Sequence, residues 1–108
     1  MPRYLTRLQP VRPAMLTEGP TAAEAEAVTA HFHYLSSLTE QGVVLLAGRT
    51  LNIDPSSFGI VIFDAPDDEA AQALVDGDPS VQQRVMRAEL FPYAVALFHP
   101  ALGDDPSS

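Results

Sequence analysis

Residues 3–11 alternate loosely between two sides, with Tyr4, Thr6 and Leu8 on one and Leu5, Arg7 and Gln9 on the other. That two-residue period predicts a first strand with one wet face. Pro13, Gly19 and Pro20 then break regular structure. Thr21-Ala22-Ala23-Glu24 has capping-box spacing, and an alanine-rich helix is expected from about 22 to 41, stopping at Gly42. Two apolar, β-branched runs follow, Val43 to Leu51 and Phe58 to Phe63. The turn-forming stretch Asn52-Ile53-Asp54-Pro55-Ser56-Ser57 lies between them, which predicts an antiparallel hairpin. Pro66-Asp67-Asp68-Glu69 opens a second helix near 67–76, its acids suited to the positive end of the helix dipole. Asp78-Pro79 restarts a short helical turn, with Asp78 at the cap and Pro79 at the first helical position. Met86 to Phe98 reads as the last strand, and Pro92 within it predicts a bulge or a sheet edge.

The order β-α-β-β-α-β is the split βαβ arrangement of ferredoxin-like α+β domains: a four-stranded antiparallel sheet with two helices on one face. The other sheet face is then bare. In the third strand Ile60 and Ile62 point one way and Val61 and Phe63 the other, so both faces are apolar there. A second copy of the chain is the expected cover, making the protein a homodimer. Residues 1–100 form the expected domain and 101–108 the expected disordered tail.

Composition narrows the function. At 108 residues and 46% hydrophobic content, the chain holds one domain and one core. No apolar run spans a bilayer, and Met1 to Gln9 lacks the apolar stretch of a signal peptide. A cytoplasmic address is the default expectation. Cysteine is absent, which removes disulfides and thiolate chemistry. The formal net charge of −8 and six scattered arginines argue against nucleic acid and anionic membrane as partners.

Helical projection at roughly 100° per residue sorts the histidines. Tyr34, Ala27, Leu38, Leu35, Val28 and Phe32 fall on one arc with His31 near its middle, while His33 falls opposite with Thr29, Glu26, Ser37 and Glu40. His31 therefore faces the core or a pocket, and His33 faces water. His31 reads either as a core histidine with one structural hydrogen bond or as a general acid or base, since imidazole titrates near neutrality. Asp78 reads as an N-cap that could also orient an imidazole, because a carboxylate has two oxygens. His99 at the end of the last strand is read as incidental. Metal binding is disfavoured: His31 and His33 cannot share a helix face, and no HExxH spacing occurs. There is no phosphate-binding glycine loop and no serine nucleophile elbow, and Ser36-Ser37 is placed on the wet side of the helix.

His31-Phe32-His33-Tyr34-Leu35, Leu38 and Gly42-Val43-Val44-Leu45-Leu46-Ala47-Gly48 together resemble the YciI-like (YCII-related) family. Phe58 to Ala65, Glu69-Ala70 and Asp78-Pro79 extend the likeness, which runs from about residue 3 to residue 99. The resemblance implies a fold of the dimeric α+β barrel type and a site built from His31 and Asp78. Some relatives are linked to lyase or dehalogenating steps on small cyclic or aromatic compounds. Arg49 departs from the usual proline and Ser80 from the usual aromatic residue. Arg49 would add a cation for an acidic ligand, and Ser80 would enlarge or open the pocket. The candidate site is thus His31 and Asp78 for catalysis, Arg49 and Tyr34 for ligand binding, and neither metal nor organic cofactor. The leading expectation is a small-molecule lyase, isomerase or dehalogenating enzyme. The competing one is a non-catalytic homodimer that binds a small ligand or serves as an interaction module.

Overall fold

A computed structural model describes residues 1–103. The elements run β1 (Arg3–Pro10), α1 (Ala14–Thr17), α2 (Ala22–Glu40), β2 (Val44–Arg49), β3 (Gly59–Asp64), α3 (Asp68–Asp76), α4 (Pro79–Gln82) and β4 (Met86–Pro92), with a closing 3-10 turn at Pro100–Gly103. The strands form one antiparallel sheet in the order β2-β3-β1-β4. This is the expected ferredoxin-like α+β fold, with α1 as an added turn in the stretch read as irregular.

Local chemistry accounts for the helix boundaries. The Thr21 hydroxyl accepts from the Glu24 N–H at 3.1 Å, and the Glu24 carboxylate accepts from the Thr21 N–H at 2.8 Å, which completes the capping box. Glu24 also accepts from the Arg12 guanidinium at 2.6 and 2.9 Å, tying the helix start to the loop after β1. These bonds hold its carboxyl down at about 2, first through Arg12 and then through the Thr21 N–H. At the other end Gly42 takes a positive φ of 76°, and the Val43 N–H returns to the Leu38 carbonyl at 2.9 Å. The Asp67 side chain caps α3 by accepting from the Ala70 N–H.

Register assigns the two sheet faces. Tyr4, Thr6, Leu8, Val44, Val61 and Phe63 are buried on the side of the helices, where Leu35, Leu38, Ala71 and Val75 pack against them. On the opposite side, Leu46, Ile62, Leu5 and Phe91 stand in one continuous row across all four strands. A bulge at Leu45 is what brings Leu46 into that row. Ion pairs flank it, Arg3 with Asp64 and Arg7 with Glu89.

One expectation needs correction. The last strand ends at Pro92, not Phe98. β4 is an edge strand, as expected, and the Tyr93 N–H still reaches the Arg3 carbonyl at 2.9 Å. Beyond that no ladder continues, although the apolar alternation does. Tyr93, Val95, Leu97 and Phe98 are all exposed. Of the expected tail, residues 101–103 lie in the 3-10 turn, and 104–108 lie outside the described residues.

Candidate active site

The apolar arc of α2 divides in the fold. Ala27 is fully buried, and Tyr34 and Leu38 turn into the interior beside the sheet. Val28 and Phe32 instead turn onto an open cleft, Phe32 with 67% of its surface exposed. His31 lies at the seam between the two halves and is half-buried. His33 is exposed, as the projection requires.

The inner side of His31 meets α4. Its Nδ1 lies 2.6 Å from Asp78 Oδ2, across 47 residues of sequence. Asp78 is buried, and its Oδ1 accepts from the Ser80 N–H at 2.9 Å, which caps α4. Oδ1 also accepts from the Ser80 hydroxyl at 2.8 Å, and that hydroxyl stands 3.2 Å from His31 Nδ1. Asp78 therefore caps α4 with Oδ1 and meets the His31 ring with Oδ2. The outer nitrogen of His31, Nε2, has no hydrogen-bond partner among the described residues and is not sealed from solvent. His31 is among the residues that line the cleft.

That cleft has a volume of about 760 Å³ and opens between α2, α1 and the ends of β2 and β3. Leu8, Met15, Phe32, Leu35, Phe58 and Met86 make most of it apolar. Its polar groups are His31, Ser36, Thr39, Glu40, Arg49 and Ser57. Arg49 reaches it because the bulge at Leu45 turns Arg49, like its partner Gly59, toward the helix side of the sheet. Sequence reasoning placed Ser36 in water, but it is half-buried on the cleft wall. Its projected angle, one step beyond Phe32, was the available signal.

Tyr34 does not share this cleft. Its hydroxyl donates to the Leu74 carbonyl at 2.7 Å, bracing α2 against α3. Only a glycine at 77 leaves room for it, since a Cβ there would lie 2.7 Å from the Tyr34 oxygen. Burial and the nearby Asp78 charge push the Tyr34 phenol up. Tyr34, Asp78 and Thr6 border a separate hollow of about 30 Å³. The Thr6 hydroxyl there is buried without a hydrogen-bond partner among the described residues. Ser80, expected to open the pocket, is fully buried and lines neither space, because its hydroxyl is drawn inward by Asp78. His99 is exposed and accepts from the Ala101 N–H.

Among the described residues no group of three or more His, Cys, Asp or Glu side chains is placed to hold a metal ion. No helix among them is long and apolar enough to cross a membrane.

Comparison with known proteins agrees with the fold. The sequence profile of the YCII-related domain matches residues 5–93. Comparison with curated protein sequences finds no match. Among solved structures, the chain is similar to 5-chloro-2-hydroxyhydroquinone dehydrochlorinase from Burkholderia phenoliruptrix AC1100, in complex with 2,5-dihydroxybenzoquinone. The TM-score is 0.60 at 16% identity, covering 84% of this chain and 93% of that one. It is similar to muconolactone isomerase with a TM-score of 0.61 at 16% identity, covering 92% of each chain. An uncharacterised protein from Thermotoga maritima gives 0.53 at 15% identity, covering 85% and 95%. At these identities the likeness is one of fold alone.

Proposed function

Since the chain belongs to the YCII-related domain family, we propose that it is a cofactor-independent small-molecule enzyme with His31 as its general acid and base. What supports this reading is one arrangement: His31 Nδ1 bound to buried Asp78 at 2.6 Å while the same ring borders a 760 Å³ cleft. With its proton on Nδ1, the imidazole presents the Nε2 lone pair to a ligand. Nε2 takes a proton from an activated carbon or a ring hydroxyl, and Asp78 stabilises the imidazolium. Return of the proton to another atom gives isomerisation. Departure of a leaving group gives elimination, of the lyase or dehalogenating kind. The apolar walls suit a small cyclic compound, and Arg49 adds a cation for an acidic substituent. A dehydrochlorinase and an isomerase among the proteins of like fold are consistent with this range of chemistry.

The working unit in this proposal is a homodimer. The row Leu46–Ile62–Leu5–Phe91 packs against the same row of a second copy.

The test is proton exchange from D₂O into candidate ligands, followed by NMR, with chlorinated hydroxyhydroquinones and unsaturated lactones as probes. The wild type is expected to catalyse exchange or turnover. His31→Gln should lower the rate by about 10²–10⁴-fold, and His33→Gln should leave it within a factor of two or so. Ligand binding without exchange, equal in the wild type and His31→Gln, would replace the enzyme with a binding module.

A further inference from the structure

The chain brings a serine, a histidine and an aspartate together, and the order of contacts decides what the serine does. In a nucleophilic triad the hydroxyl and the orienting carboxylate occupy opposite nitrogens of the imidazole. Here both are at Nδ1: Asp78 Oδ2 at 2.6 Å and Ser80 Oγ at 3.2 Å. Ser80 is also fully buried, so no substrate carbonyl can reach it. A proton leaving Ser80 would have to enter a nitrogen that already lies 2.6 Å from a carboxylate oxygen.

We infer that Ser80 is a positioning residue that locks the His31 ring proton on Nδ1. The inference rests on the proposed general-base reading and extends it to a residue that a Ser-His-Asp inventory would misassign. Ser80 donates twice to Asp78 Oδ1, through its N–H at 2.9 Å and its hydroxyl at 2.8 Å. Oδ1 is thereby filled and the carboxylate cannot rotate without losing both bonds, so Oδ2 is held toward His31. Because the serine proton is committed to Oδ1, its oxygen shows a lone pair to Nδ1. The Nδ1–H is thus bracketed by two acceptors, and the alternative tautomer would set the Nδ1 lone pair against both. Nε2 is left unprotonated at the cleft, the state a general base requires. The feature belongs to the short side chain at position 80, whose hydroxyl lies one carbon from the backbone and so stands within reach of both the carboxylate and the ring.

Imidazole NMR on the full chain tests this without a substrate. The wild type should show a neutral His31 protonated on Nδ1, with a low-field Nδ1–H resonance. Ser80→Ala should move that resonance upfield and speed its exchange with water by about tenfold, the effect of weakening one hydrogen bond. Ser80→Cys nearly preserves volume but donates weakly, so it should follow the alanine variant and separate the hydroxyl from packing. Amide spectra report whether each variant is folded. A wild-type ring protonated on Nε2, or variants with unchanged shift and exchange, would overturn the inference. So would labelling of Ser80 by a fluorophosphonate. These readouts concern the ring proton alone. Failure of the cleft to turn over any probe would remove the enzyme reading and leave the assignment of Ser80 standing.

Discussion

Replacing Asp78 separates what the carboxylate does for the fold from what it does for the imidazole. The side chain caps α4 through the Ser80 N–H and holds His31 Nδ1 at 2.6 Å. Loss of an N-cap costs about 1 kcal/mol. Loss of a hydrogen bond to a charged group, with a half-buried ring left unpaired, costs about 1.5–3 kcal/mol more. Asp78→Ala should therefore destabilise the protein by about 2.5–4 kcal/mol, a large fraction of the 5–15 kcal/mol typical of a domain. At about 4–8 °C per kcal/mol the melting temperature should fall by at least roughly 10 °C. Asp78→Asn should behave differently. Its amide oxygen can still accept from the Ser80 N–H, so the cap survives and about 1 kcal/mol is lost. Its NH₂ group, however, meets Nδ1 as a donor, which drives the ring proton to Nε2 and removes the base from the cleft. Asparagine should thus abolish proton exchange at little cost in stability. Urea unfolding of the wild type, both variants, His31→Ala and the His31→Ala/Asp78→Ala double variant measures each part. The pair should couple by about 1.5–3 kcal/mol. Single effects that add to within about 0.5 kcal/mol, or an asparagine variant as unstable as the alanine one, would refute the two-role account.

Three further outcomes follow from the rest of the molecule. Thr6→Val removes a buried hydroxyl that has no partner among the described residues, so denaturation should show a gain of about 1 kcal/mol; a loss of that size would mean that the hydroxyl is satisfied within the hollow it borders. Glu24 is held at about 2 in the folded chain against an ordinary 4.5, so it binds fewer protons folded than unfolded, and its contribution is full above pH 4.5 and lost as pH falls toward 2. Melting curves across that window should show a steeper acid loss in the wild type than in Glu24→Gln, and parallel curves would contradict the assignment. Ile62→Lys puts a charge in the row opposite the helices, so sedimentation velocity should convert a wild-type dimer to monomer; a wild type that is already monomeric at micromolar concentration would remove the proposed interface.

Features written within one turn of chain were legible. The Thr21–Glu24 box and the Asp78-Pro79 start depend on spacings of a few residues, and both form as read. Antiparallel pairing of β2 and β3 was legible because a turn-rich loop joins two β-branched runs. The end of β4 was not. Alternation persists from Met86 to Phe98, and what stops the strand at Pro92 is the absence of a further stretch of sheet beside residues 94–98. The direction of His31 came from the helical projection, but a projection has no second element in it. It could not show that the apolar arc is shared between core and cleft, with Phe32 and Val28 on the cleft side. The meeting of His31 with Asp78 spans 47 residues and came from the order of family motifs, not from any local pattern. Tyr34 and Ser80 were hardest, because their roles turn on hydroxyl direction. Only the fold shows Tyr34 donating to Leu74 across Gly77, and Ser80 folding back on Asp78.

The use of one carboxylate for both a cap and an imidazole has a consequence for how such a site can vary. α4 is four residues long, too short to persist on helix propensity alone, and it begins with Pro79 in a position that contributes no N–H. Its start is held by Asp78, so a change that retunes the imidazole through Asp78 also loosens α4. Val81, just inside α4, packs on the main core, which carries the disturbance inward. The cleft wall has no such coupling. Phe32, Ser36, Thr39 and Arg49 line it, and of these Phe32, Thr39 and Arg49 are exposed side chains on well-formed elements. Their replacement alters shape and charge around Nε2 while leaving the Nδ1 side intact. In the proposed function the two nitrogens of His31 therefore face two kinds of surroundings: a fixed interior that would set where the proton sits, and an adjustable surface that would set which molecule meets it.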